Sequence, residues 1–183
     1  MGYKWPLASV LLMVAIAIGL AGCASSRRSS VAHPPPPAPT APELPKATPI
    51  EIRSADLAKL HWIEGTWRGT GGDVPAFYER YQIEGNTLVV ETLTDQTLSK
   101  VDDESRFELK DGHFGYTRED SGSVAVALDD NSITFAPVGK ARNSFRWQRD
   151  TADSWKAILN WTDKDGNANE RVYVMERFPA NKP

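Results

Sequence analysis

The sequence predicts an all-β fold: an antiparallel up-and-down β-barrel of about 8–10 strands, preceded by a short helix and carried behind an N-terminal signal peptide and a disordered Pro-rich linker. Three observations predict it. From Thr66 onward, turn residues (Gly71-Gly72, Gly85-Asn86, Asp111-Gly112, Asp129-Asp130-Asn131 and others) recur roughly every 8 to 12 positions. Between them the apolar residues alternate, so each segment has one oily and one wet face. A meander of that kind lowers its free energy by closing, because closure removes both unpaired edges. No repeat of roughly 20–50 residues is visible, which argues against a propeller or solenoid.

The chain opens with an address rather than with structure. Lys4 gives a small positive start, residues 7–21 form an uncharged apolar run, and Ala21 and Gly22 are small, which is the layout of a secretory signal peptide. A spanning helix is the competing reading, but it needs roughly 20 apolar residues and this run is shorter. The run ends at Cys23, the single cysteine of the chain, so a disulfide within the chain has no second partner.

Residues 33–49, HPPPPAPTAPELPKATP, hold eight of the thirteen prolines. Proline fixes φ and removes a donor, so this stretch is expected to be polyproline II and coil, a spacer. The predicted division is therefore signal peptide 1–22, a new N-terminus at Cys23 with the flexible linker 23–53, and barrel domain 54–183.

Folding is expected from Ser54, where Leu57, Leu60 and Ile63 fall three apart in a short helix or 3₁₀ turn ending before Gly65. Strands are expected near 66–71, 77–84, 87–94, 101–110, 113–118, 123–128, 132–137, 143–149, 154–162 and 168–178. Inward faces are read from alternation: Val124, Val126 and Leu128; Phe107 and Leu109; Phe145 and Trp147; and Trp155, Ala157, Leu159 and Trp161.

Two resemblances attach to these residues. LAGC, residues 20–23, resembles the lipobox of bacterial lipoproteins. The resemblance implies that Cys23 carries a diacylglycerol thioether after removal of residues 1–22. Its acyl chains would anchor the protein to a bilayer, and Ala24 and Ser25 after the cysteine favour the outer membrane, facing the periplasm. The run LHWIEGTWRGTGG, with FYERYQIEGNTLVVETLT, RFELKDGHFGYTR, ITFAP and RVYVMERF, is similar to uncharacterised lipocalin-like domains of bacteria, within the calycin superfamily. That resemblance implies a closed barrel whose floor is sealed by Trp67 under an arginine of the last strand, for which Arg177 is the match; the contact is of cation–π type. It carries no function with it.

Candidate binding residues follow from spacing. Arg171 and Tyr173 are two apart and share a face, so they could grip one carboxylate, an arrangement that resembles the clamp of fatty-acid-binding proteins; the competing arrangement turns Val172 and Val174 inward. Tyr81 shares a face with Phe77 and Glu79, and a buried Glu79 needs a partner, for which Arg171 is a candidate. Gly69 and Gly71 leave room for a ligand or for strand coiling. The leading expectation is a lipid-anchored envelope barrel that binds a small, partly apolar or carboxylate-bearing ligand inside. The alternative is an envelope interaction module filled by Trp62, Trp67, Phe135, Trp147, Trp155 and Trp161.

Other chemistry finds little purchase. The opening GTWRGTGG is similar to that of the haem-binding nitrobindins, but the histidines are His33, His61 and His113, with none late in the barrel where that family holds iron. No cofactor is expected. Asp163 to Glu170 carries glycine at the fourth position and glutamate at the eighth, which fits a hairpin turn and not a calcium loop, so no metal is expected either. No nucleophile elbow or zinc-protease motif is present, and no catalysis is expected. Without Lys4 the balance is 20 basic against 24 acidic residues, with no basic stripe for nucleic acid.

Overall fold

A computed structural model describes residues 48–72 and 74–178. The signal peptide, Cys23 and nearly all of the linker lie outside the described residues. A 3₁₀ helix, Ser54–Ile63, leads into ten strands: β1 (Gly65–Thr70), β2 (Phe77–Glu84), β3 (Thr87–Leu93), β4 (Val101–Lys110), β5 (His113–Arg118), β6 (Ser121–Leu128), β7 (Ser132–Gly139), β8 (Ser144–Arg149), β9 (Ser154–Thr162) and β10 (Ala168–Arg177). Each strand pairs with the next in antiparallel fashion, and β10 returns to β1, closing the barrel.

Strand ends define a floor and a mouth. The floor gathers the start of β1, the end of β10 and the turns after β2, β4, β6 and β8. The 3₁₀ helix lies under it, burying Leu57, Leu60 and Ile63. Packing starts ahead of Ser54. Ile52 is only 2% exposed and Ile50 packs against the same core. The Ile50 and Ile52 amides donate to the Ala125 and Gly112 carbonyls at 3.1 and 2.8 Å. This strap ties the lead-in segment to β6 and to the turn between β4 and β5, so the packed unit begins at Ile50, four residues before the expected boundary.

One inward face differs from the expectation. In β6 the buried residues are Gly122, Ser123 and Ala125, while Val124 and Val126 are half-buried. The register shifts between Ala125 and Ala127, so a bulge at Val126 exchanges the faces, and only beyond it does Leu128 pack against the core. Small residues occupy the interior there because rings from neighbouring strands fill the space opposite: Phe107, Phe114 and Phe135 are fully buried.

Candidate functional site

Floor geometry explains the Gly-Thr-Trp motif. Trp67 is buried, and its indole N–H donates to the Ile63 carbonyl at 2.6 Å. The Arg177 guanidinium stands 4.2 Å from the centre of the Trp67 ring, and the two residues are register partners in the β1–β10 ladder. Arg177 also donates to the Asp153 carboxylate and to the Glu64 and Ala152 carbonyls at 3.1 to 3.2 Å. A side chain on Gly65 would start 2.6 Å from that guanidinium, and its φ of +118° suits only glycine. One arginine thus laces the end of β10 to the start of β1 and to the loop between β8 and β9.

Above the floor the lumen is full of rings. Trp155 meets Trp62, Trp67, Tyr81 and Trp147 edge-on, with centroids 5.4 to 6.2 Å apart. Phe135 stacks on Phe145 at 4.6 Å and touches Phe107 and Trp147, each at 5.2 Å. The room beside Gly69 is taken by the Phe77 ring. Among these side chains lies a cavity of about 20 Å³ lined by Phe77, Glu79, Tyr81, Trp147, Leu159 and Met175 among others. That is close to the room of a single water molecule.

The four candidate binding residues form two pairs, not one clamp. Low in the barrel, level with Trp67, the Tyr81 hydroxyl donates to Glu79 Oε2 at 2.6 Å. The second oxygen, Glu79 Oε1, is buried without a partner and its residue faces the small cavity. Burial raises the Glu79 carboxyl from its ordinary 4.5 to about 7, against the lowering effect of the Tyr81 hydrogen bond. Burial first, and then the neighbouring carboxylate, push the Tyr81 phenol well above its ordinary 10. Higher up, Tyr173 is buried and Arg171, on the same face, is half-buried. Arg171 donates to the Tyr173 hydroxyl at 3.3 Å and lies 5.8 Å from the Trp161 ring centre. Arg171 is therefore not the partner of Glu79. Glu79 sits level with Trp67, and so with Arg177, whereas Arg171 is six residues further along β10, about 20 Å away along the strand.

At the mouth, the Asp163 carboxylate accepts from the amides of Asp165 and Asn167, both at 2.9 Å. Those bonds hold the acid well below the ordinary carboxylate range and shape the β9–β10 turn. Among the described residues no cluster of three or more His, Cys, Asp or Glu is arranged to hold a metal ion.

Sequence reasoning missed a concavity in the wall. β4 and β5 pair only through Glu108–Gly115, Leu109–Phe114 and Lys110–His113. Continued register would set Phe107 opposite Tyr116, Arg106 opposite Thr117 and Ser105 opposite Arg118, but the ladder stops. Gly115 is the reason within reach: a Cβ there would overlap the Ser123 carbonyl, so glycine lets β5 lean onto β6. The resulting seam holds a cavity of about 720 Å³ lined by Glu104, Arg106, Tyr116, Thr117, Ser123 and Val138 among others. Ser123 is only 8% exposed, and its hydroxyl is buried without a partner. A signal for the seam existed in the unequal expected lengths of neighbouring strands, 101–110 against 113–118.

No protein-family model matches the chain, and no curated protein matches it. Among solved structures it is similar to a protein of unknown function from the DUF3598 family of Nostoc punctiforme, at 15% identity and a TM-score of 0.43 over 72% of this chain and 50% of that one. It thus spans half the length of that protein. It is also similar to Rv2717c of M. tuberculosis, at 13% identity and a TM-score of 0.40 over 67% of this chain and 96% of that one. A third likeness is to EF1p2_mFAP2b bound to DFHBI, at 13% identity and a TM-score of 0.34 over 65% of this chain and 96% of that one. Likenesses at this level say nothing of what the present chain binds.

Proposed function

We propose that this chain is a lipid-anchored cell-envelope binding protein, tethered through Cys23 to the outer membrane. Its barrel is a filled scaffold, and its binding place is the seam between β4 and β5. The LAGC motif behind the apolar run supports the anchor, and residues 24–47 serve as the spacer. One observation carries the choice of site: the seam offers about 720 Å³ beside a buried, unpartnered Ser123 hydroxyl, while the cavity beside Glu79 holds about 20 Å³. Binding pockets for small ligands usually run to roughly 300–1,000 Å³ and combine apolar walls with a few polar groups. The seam has that volume, and its lining sets the charged side chains of Glu104, Arg106, Glu108, Lys110 and Arg118 beside the apolar Tyr116, Val124 and Val138.

Catalysis has no support in this arrangement. Glu79 has the properties of a tuned acid, but aromatic side chains seal it from substrate. The seam reading is tested by gentle extraction from membranes, followed by mass spectrometry of the molecules and peptides that co-purify. Thr117 is exposed on the seam wall, so Thr117→Trp fills the seam without entering the core. The expected result is a co-purifying species present with the wild type and depleted at least tenfold with Thr117→Trp. Equal retention by both proteins would sink the reading.

A further inference from the structure

We infer that the seam is covered at rest by the chain's own linker, residues 42–47 (Pro-Glu-Leu-Pro-Lys-Ala), which an incoming ligand displaces. This rests on the seam being the binding place and names its resident occupant. The chain enters the described residues at the foot of the seam. Thr48 and Pro49 are exposed, and the Ile50 amide donates to the Ala125 carbonyl, next in sequence to Val124 of the seam wall. The Ile50 carbonyl lies 3.4 Å from Nδ1 of His113, which also lines the cavity. From Ile52 back to Ile50 the strap climbs from the level of Gly112 to that of Ala125. That is the level of Phe114, because Gly115 pairs with Val124. Followed toward its N-terminus, the chain is therefore heading along β5 toward the mouth as it leaves the described residues, in the direction the seam runs.

The form of the seam suits such a segment. Phe107 and Tyr116 close its inner side, with ring centroids 5.6 Å apart, so the occupant lies on the outer face. Gly115, Thr117, Gly122, Val124 and Val138 share that face through the register of β5, β6 and β7. Two glycines make it a trough, walled by the long side chains of β4 and bordered by the half-buried Val124 and the exposed Val138. Lys110 and Arg118 stand there among Glu104 and Glu108, so neither sign of charge is favoured. Residues 42–47 carry one charge of each sign, Glu43 and Lys46, and Leu44, the only Leu, Ile or Val among residues 32–49. The β4–β5 ladder ends at Glu108–Gly115, which leaves β4 amides at 104–107 open on that side, and a proline-rich segment offers carbonyls without needing donors in return. Pro42, Pro45 and Pro49 hold the segment extended, so ordering it costs little entropy. At about 3.1 Å per residue, Leu44 stands roughly 12 Å from Thr48. The strand from His113 to Arg118 spans about 17 Å, so Leu44 falls within the seam.

Tethering favours this occupant over one from outside. A segment joined to the foot of the seam by a few residues acts at an effective concentration in the millimolar range, so even millimolar affinity holds it there for much of the time. A second copy or a separate protein has no such advantage. The seam stays usable, because a cover in place about two-thirds of the time lowers the apparent affinity of an outside ligand only about threefold.

The test follows amide hydrogen exchange at residues 104–107 in the mature chain carrying Cys23→Ser, and in the same chain with residues 42–47 replaced by alternating Gly and Ser at equal length. Exchange of the seam-facing amides should rise about threefold on replacement. Threefold amounts to about 0.6 kcal/mol, so the unfolding stability of the barrel stays where its own packing sets it. Leu44→Asp should give the same rise and Leu44→Met none, and the protection should be independent of protein concentration. Unchanged exchange on replacement would overturn the proposal. So would protection that deepens with concentration, which puts another molecule's segment in the seam. Co-purification from membranes separates this proposal from the reading beneath it. In the anchored protein, replacing residues 42–47 should raise the retained species about threefold. If Thr117→Trp depletes that species while the replacement alters neither exchange nor retention, the seam binds but residues 42–47 do not cover it, and the proposal falls alone. If neither variant changes anything, both fall together.

Discussion

At the scale of single residues, Glu79 is the group whose environment conflicts most with its chemistry. Its carboxyl is 3% exposed, takes one hydrogen bond from Tyr81 and leaves Oε1 unpaired among Phe77, Trp147 and Met175. Among the described residues no Lys or Arg offsets it, so burial dominates and the acid titrates near 7 instead of 4.5. A folded-state value above the unfolded one means that the native protein binds the extra proton between those two points. Stability is therefore fully present below about pH 4.5, falls as pH rises through about 7, and is level above that. The difference amounts to about 3 kcal/mol at most. Glu79→Gln keeps the shape and still accepts from Tyr81, so it should remove this slope. In urea titrations the variant should match the wild type near pH 4.5 and exceed it by about 2–3 kcal/mol at pH 8. A wild-type stability that stays flat from pH 4.5 to 8 would show that Glu79 is solvated after all. The inward turn of Glu79 was legible from its alternation with Phe77 and Tyr81. Its partner was not, because pairing depends on height in the barrel, which strand spacing fixes only once the register between β1, β2 and β10 is known.

At the scale of elements, turn chemistry made the ten strands readable, and the misread parts are those where packing overrides local pattern. Val124 and Val126 look like an inward face until the bulge before Ala127 exchanges the sides. Strand lengths of ten for β4 and six for β5 hinted at an unpaired stretch, but where the ladder stops depends on Gly115 meeting the Ser123 carbonyl across the β5–β6 pair. The strap was hidden by composition. Pro-Ile-Glu-Ile, residues 49–52, alternates apolar with polar as a strand does, yet it adjoins eight prolines and reads as their continuation. Its contribution is measurable. Truncating a buried Ile to Ala costs about 2–5 kcal/mol, so Ile52→Ala should lower unfolding stability within that range. A chain starting at Thr48 should match the full mature chain, whereas one starting at Ser54 should lose at least as much as Ile52→Ala, since it also forfeits the bonds to Ala125 and Gly112. Equal stability of the chains starting at Thr48 and Ser54 in urea would show the strap to be idle.

At the scale of the whole molecule, the two halves of the chain answer different questions, and they should separate under mutation. The barrel closes on itself from Ile50 to Phe178, with the Phe178 amide donating to the Thr66 carbonyl at 2.8 Å. Location, under the proposed anchoring, rests on Cys23, because a diacylglycerol thioether needs a thiol and the sequence has no other. A single chain of about 14 carbons binds a bilayer only marginally, whereas two or more hold firmly, so loss of the thiol should release the protein rather than merely weaken its attachment. Cys23→Ser should therefore move the protein out of the outer-membrane fraction, and mass spectrometry of its N-terminal peptide should lose the diacylglycerol increment found in the wild type. Thermal unfolding of the barrel should stay unchanged, because Cys23 lies 27 residues ahead of Ile50, where the packed unit begins. A Cys23→Ser protein that stays in the membrane fraction with processed residues 1–22 would mean that the barrel itself holds the membrane.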